Sequence, residues 1–367
     1  VGMKKVAIIG AGIVGSTSAY YLSRSSEWQV TVFDEGIGQA TKAAAGIISP
    51  WFSKRRNKAW YQMARLGADF YQVLIRDLQK DSFETNFYQQ TGVYLLKKDE
   101  SKLSELYELA RARREQSPLI GDLDLLSQSR VRQQFPYLRG FDTLLYASGG
   151  ARVEGAQLTK TLLEASHAKI VQKRVSFKKT SDHCYLIEGE KFDAVILSAG
   201  AWLPELLQPF NYLVDIRPQK GQLRDYQTHL PTEQYPVVMP EGEIDIIPFN
   251  GGKFSIGATH ENNQGYDLQI DEKLLYAMQE EASLYCPIFD TAKVLGSRVG
   301  IRAYTSDFSP FFGECTELPK VYLASGLGSS GLTTGPLIGH QLAQMVLEND
   351  LLLQTPNTPN TCLLYTS

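Results

Sequence analysis

Lys4-Lys5-Val6-Ala7-Ile8-Ile9-Gly10-Ala11-Gly12-Ile13-Val14-Gly15 is the stretch that decides the fold. The apolar run before Gly10 has no helical period and reads as a buried strand. A helix follows over Ser16–Ser25, and Gln29-Val30-Thr31-Val32-Phe33-Asp34 reads as a second strand. The unit is β-turn-α-β, with Gly10, Gly12 and Gly15 in the turn. Such a turn makes a tight bend, lets backbone approach a pyrophosphate and packs helix on strand, with Ile13 and Val14 opening the helix over the phosphates. Asp34 lies at the end of the second strand. A carboxylate there accepts hydrogen bonds from ribose hydroxyls and disfavours a 2′-phosphate.

Three more segments separate a flavin from a nicotinamide. Thr41-Lys42-Ala43-Ala44-Ala45-Gly46-Ile47-Ile48-Ser49-Pro50-Trp51 is rich in small residues that let backbone lie against a planar cofactor; it also reads as a plain helix start. Ser198-Ala199-Gly200-Ala201-Trp202 ends a buried strand. Gly326-Leu327-Gly328-Ser329-Ser330-Gly331-Leu332-Thr333-Thr334-Gly335-Pro336 lies between a strand and a helix. A second glycine-rich helix start far from the first suits an extended cofactor held at both ends. Reduced flavin carries negative charge near N1 and O2, which a helix N-terminus stabilises. The expected cofactor is therefore FAD.

Composition narrows the class. The 367 residues are 43% hydrophobic and 21% charged with a formal net charge of −3, which fits a globular chain and lacks the basic excess of a nucleic-acid partner. No apolar run reaches the ~18 residues of a transmembrane helix. The four cysteines, Cys184, Cys286, Cys315 and Cys362, are dispersed, and the five histidines lack ligand spacing, so no metal is expected. This cysteine usage fits a reducing cytoplasm, with peripheral membrane association left open. Met3 reads as the natural start. Residues 362–367 back-translate to a stretch resembling a transposon-based sequencing adapter and are expected to be non-native read-through.

These residues together resemble the FAD-dependent amino-acid oxidoreductases: D-amino acid oxidase and dehydrogenase, glycine oxidase and sarcosine oxidase. Pro218-Gln219-Lys220-Gly221-Gln222, Ile247-Pro248, Gly257-Ala258-Thr259 and Gly300-Ile301-Arg302 add to the likeness, which runs from Val6 to about Leu347. The resemblance implies an α/β chain with an α+β insertion: a discontinuous Rossmann-like FAD-binding domain (1–81, 145–216, 296–350), an antiparallel-sheet substrate domain (82–144, 217–295) and a tail (351–367). It implies that Asp34 holds the adenosine ribose and that Ala44, Ala45, Gly46 and Ile47 line pyrophosphate and flavin. Val175, in a strand-like Arg174–Phe177 element, would meet adenine. Ala199 and Gly200 would line the cofactor, and Gly328, Gly331, Leu332 and Thr333 would flank the isoalloxazine.

Arg302 would pair with the substrate carboxylate, since arginine grips carboxylates bidentately; a surface or interface arginine is the bland alternative. The expected reaction is hydride transfer from Cα of a D-amino acid or glycine to flavin N5, giving an imine that hydrolyses to a 2-oxo acid and ammonia. Alternatives are a secondary-amine (sarcosine- or proline-like) oxidase or dehydrogenase, the FAD domain of a tRNA-modifying enzyme, and a non-catalytic flavoprotein. Oxygen or a quinone would accept the electrons, and a homo-oligomer is left open. Arg302-Ala303-Tyr304-Thr305 lacks the cysteine of covalent-flavin relatives, so FAD is expected to be noncovalent.

Two substrate-side expectations are specific to this chain. Trp51 opens Trp51–Lys58, read equally as a lid over the site or a solvated basic loop. Asp245 stands where glycine oxidase-like relatives often carry tyrosine, which would shift recognition toward an extra positive group or a more basic amine. The alternation Glu241, Glu243, Asp245 also fits the solvent face of a strand. His260 is read as structural.

Overall fold

The computed structural model describes residues 2–353 and the backbone of the short strand Leu363–Tyr365, which pairs antiparallel with Tyr212–Val214. The remaining positions of the expected read-through, 362, 366 and 367, lie outside the described residues.

The first strand, Lys4–Ile9, is the centre of a six-stranded sheet. Its order is Phe311–Glu314, Val321–Ser325, Ala194–Leu197, Lys4–Ile9, Trp28–Phe33, Lys169–Val171. All neighbours are parallel except the Phe311–Glu314 edge. Strands covered on both faces need continuous apolar side chains, which explains the unbroken Val-Ala-Ile-Ile and Ala-Val-Ile-Leu runs. Helix Ile13–Leu22 is buried along its whole length, between helices Gly155–Ser166 and Gly331–Leu347. Its polar residues are tolerated because their hydroxyls are satisfied internally. Ser16 Oγ donates to Gly12 O (2.7 Å), Thr17 Oγ1 to Ile13 O (2.6 Å) and Ser18 Oγ to Gly339 O (2.8 Å).

The second layer is an eight-stranded sheet with order Lys293–Tyr304, Arg217–Gln227, Lys253–Gly257, Asp245–Pro248, Val237–Met239, Val93–Leu95, Thr143–Ala147, Leu123–Ser127. It is antiparallel except where Val237–Met239 runs parallel to Val93–Leu95. The expected domain boundaries at 145 and 296 fall inside strands of this sheet. Lys293–Tyr304 stays paired with Arg217–Gln227 along its length, so the chain leaves this layer only after Tyr304. Arg174–Phe177 is also not a strand. Val175 and Phe177 are buried and Ser176 exposed, which produces the alternation, but the ladder partners are taken by Lys169–Val171 and Lys178–Lys179 on either side.

One buried cation ties the small sheet at Ala151–Val153 to the large one. Arg152 is 1% exposed and donates to the carbonyls of Thr232, Glu233 and Tyr235 and to the side-chain oxygens of Gln89 and Asn250. Burial pulls its pKa down to about 10, so it stays protonated at neutral pH. No helix among the described residues is long and apolar enough to cross a membrane.

Candidate active site

A cavity of about 820 Å³ runs between the two sheets. The N-terminal turn contributes Gly10, Gly12, Ile13 and Val14 to its wall, and the second strand contributes Asp34. Gly15 instead packs inward: a Cβ there would lie 1.8 Å from Gly10 O, so only glycine lets helix and strand approach this closely. The Thr41 turn supplies Ala44, Ala45, Gly46 and Ile47, and the strand ends supply Ala199 and Gly200. Val175 closes one end, with Gly328, Gly331, Leu332 and Thr333 toward the other.

Two helix N-termini open on this cavity. Neither Ile13–Leu22 nor Gly331–Leu347 is capped by the side chain of its own N-cap residue or carries an acidic residue in its first turn, so both positive ends face the cavity. Thr41 Oγ1 accepts from Ile13 N (3.0 Å), and Tyr304 Oη accepts from Ser329 N (3.0 Å), fixing the start of each. Asp34 is held by the backbone N–H groups of Ala11 (2.6 Å) and Gly36 (2.5 Å), which leaves lone pairs on both oxygens for hydroxyl donors.

The substrate end is built by the large sheet. Gly300, Arg302 and Tyr304 share one face of their strand because side chains alternate with period two. Arg302 Nη1 donates to Thr259 O (2.8 Å) and Gln219 Oε1 (3.1 Å), while Nη2 has no protein partner among the described residues. Burial lowers its pKa, although Tyr304 and Glu261 oppose this. Asp245, His260, Met239 and Lys97 line the same end. His260 is held below the ordinary histidine range by burial and then by Arg302, so it is neutral at neutral pH.

Trp51 is the expected site residue that the structure places elsewhere. It is fully buried in the hydrophobic core, and the neighbouring Phe52 faces the cavity instead. The short 3₁₀ turn Pro50–Phe52 rotates consecutive side chains by about a third of a turn, which sequence proximity does not reveal. The following basic loop is anchored. Lys54 pairs with Glu105 (2.7 Å), Arg55 stacks on Trp60 (4.4 Å), and Asn57 caps the next helix through Trp60 N (3.0 Å). Sequence reading also missed Lys97, and it read His260 as structural although it lines the cavity. The His260 signal was its place directly after Gly257-Ala258-Thr259. Lys97 carried none beyond following a strand.

The family profile described as FAD dependent oxidoreductase matches residues 5–345. The chain belongs to that family. It is 39% identical to the uncharacterized oxidoreductase YurR of Bacillus subtilis (strain 168), over 94% of this chain and 95% of that protein. It is 29% identical to a glycine oxidase of Pseudomonas putida, over 91% and 92%. Among solved structures, iminodiacetate oxidase from Chelativorans sp. BNC1 superposes with a TM-score of 0.90 at 29% identity, covering 96% of this chain and 99% of that one. Glycine oxidase from Geobacillus kaustophilus superposes at 0.83, with 22% identity and coverage of 96% and 97%.

The residues present fit FAD. Besides the two uncapped helix starts, Gln39 and Ser49 on the cavity wall each hold a buried side-chain oxygen with no partner among the described residues. None of the described cysteines lines it. Cys286 and Cys315 are buried in other clusters, where burial pushes both thiols up, Cys286 to about 12, and Cys184 is not on the wall. Acid precipitation of the yellow protein is therefore expected to release all flavin into the supernatant. Colour retained in the washed pellet contradicts noncovalent binding.

Proposed function

We propose that this FAD-dependent oxidoreductase oxidises the Cα–N bond of a small amino acid. The observation that carries the reading is Arg302: a mostly buried guanidinium, fixed by Thr259 O and Gln219, with its second amino group unspent on a cavity wall shared with the flavin-binding segments. Such a fork binds a carboxylate and orients the attached Cα. FAD supplies the hydride acceptor when bound. Phe52, Met239 and Leu327 make the adjoining wall apolar and limit water at the reacting carbon. The product imine hydrolyses in water to a 2-oxo acid and an amine or ammonia.

A second reading, a secondary amine bearing a second carboxylate, is favoured by Lys97. Its ammonium lines the cavity with no hydrogen bond or ion pair among the described residues, whereas Lys102 is neutralised by Glu241 (2.9 Å). The 29% identity with iminodiacetate oxidase supports the same reading. Anaerobic addition of glycine, D-alanine, sarcosine, D-proline and iminodiacetate tests both. At least one is expected to bleach the flavin, and iminodiacetate is expected to do so at lower concentration than sarcosine. No bleaching by any of them overturns the amino-acid reading.

A further inference from the structure

We propose that Asp245 receives the ammonium group of the substrate and takes one of its protons, leaving the amine neutral when the Cα–H bond breaks. The inference rests on the amino-acid reading above and assigns the group that handles nitrogen. Asp245 begins the strand Asp245–Pro248, and its Cα register partner is Gly257 on the neighbouring strand. Two residues beyond Gly257, Thr259 accepts the hydrogen bond that anchors Arg302. One carboxylate and one guanidinium thus flank the Gly257–His260 segment on the same cavity wall. An α-amino acid carries opposite charges on two groups bonded to the same Cα, and this pair matches them in sign.

The carboxylate of Asp245 has no hydrogen-bond or ion-pair partner among the described residues, and the residue is half-buried on the cavity wall. The alternation Glu241, Glu243, Asp245 is not that of a solvent-facing strand. Residues 241–243 form a bend, Glu243 is exposed, and Glu241 is engaged by Lys102 and by the Lys98 backbone N–H (3.0 Å). The charged and titratable groups around Asp245 are Glu241 and Glu243 from its own segment, Lys97 and Lys102 from the strand and helix beyond, His260, and Arg302. Burial raises its pKa to about 7, with Lys97 pulling it part of the way back. A carboxylate of that basicity accepts a proton from an ammonium far more readily than an exposed one does. His260, whose pKa burial and Arg302 pull below the ordinary histidine range, is the weaker base of the two.

The proton balance is simple. One N–H bond of the ammonium breaks, its electron pair stays on nitrogen, and the proton goes to a carboxylate oxygen of Asp245. The freed pair then forms the C=N bond as hydride leaves Cα for the cofactor. The protonated Asp245 returns its proton to solvent after product leaves.

The test uses flavin-loaded protein and whichever panel compound bleaches wild type. Reductive half-reaction rates are measured from pH 5.5 to 10 for wild type, Asp245→Asn and Asp245→Glu. Because the acceptor must be ionised, the wild-type rate at limiting substrate is expected to rise through about pH 7. Asp245→Asn should lose that limb, run at least about 100-fold slower at pH 7.5, and climb only toward the pKa of the free amine. Asp245→Glu should restore part of the limb.

A second readout does not depend on turnover. Titration calorimetry of the loaded protein with 2-aminoisobutyrate, which has no Cα–H, is run in two buffers of different ionisation enthalpy. At pH 6, where Asp245 carries a proton before binding, wild type should release a proton, because the acid and the ammonium then share one between them, and Asp245→Asn should release none. If Asp245→Asn keeps the wild-type pH profile and proton release, the proposal is overturned while the amino-acid reading stands. If no panel compound bleaches wild type, the amino-acid reading itself has failed.

Discussion

Arg302→Ala is expected to lower kcat/KM by about 30- to 5,000-fold while FAD stays bound. Removing a charge-assisted bidentate partner from a buried carboxylate costs on the order of 2–5 kcal/mol, and each 1.36 kcal/mol is a factor of ten. Most of the loss should appear in KM, because carboxylate binding is made in both ground and transition states. The segments that fit FAD are the glycine-rich helix starts and the Thr41–Ile47 turn, away from Arg302 in the chain, so the visible absorbance should be retained. Arg302→Lys should recover little, since an ammonium cannot keep Thr259 and Gln219 and also grip two carboxylate oxygens. Steady-state kinetics with the bleaching substrate measures this, and an alanine variant with wild-type kcat/KM removes Arg302 from the site.

The second large effect concerns stability. Arg152→Ala is expected to lower the unfolding free energy by about 3–5 kcal/mol, because each buried acceptor left without its donor costs on the order of 1–3 kcal/mol. Five donated bonds vanish, and the carbonyls of Thr232, Glu233 and Tyr235 lose a donor in a buried setting. Arg152→Lys should rescue only partly, because one ammonium has three donors and no planar fork. Arg152 lies outside the cofactor cavity and lines only a small cavity beside Phe249 and Asn250, so folded variant should keep its substrate preference. Urea denaturation of the flavin-loaded proteins decides this. A midpoint equal to that of wild type would show that the network is dispensable.

The nucleotide half of the protein was readable as sequence because its parts are neighbours in the chain. Strand, turn, helix, second strand and Asp34 occupy thirty-one consecutive residues, Lys4 to Asp34, and backbone geometry alone brings them together. The Gly326–Pro336 helix start was readable for the same local reason. The antiparallel hairpin that Asp245–Pro248 and Lys253–Gly257 form around Asn250-Gly251-Gly252 also rests on local signals, alternation and a glycine turn. Misreadings arose where a local pattern had two causes. Arg174–Phe177 alternates because one side is buried, yet no strand pairs with it; Trp51 and Phe52 differ by one residue, and the turn sends only the second into the cavity.

By itself, then, the sequence determined the glycine turn between strand and helix, the acid at the end of the second strand, the second glycine-rich helix start and the family, all carried by contiguous residues whose backbone conformations are locally dictated. Only the tertiary structure decided the substrate end. Lys97, Asp245, His260 and Arg302 come from four separate segments, and their meeting depends on the order and register of eight strands. Their charge states were likewise beyond sequence. A carboxyl raised to about 7 and an imidazole pulled below its ordinary range result from partial loss of water around Asp245 and His260, which arises only once both sheets have packed.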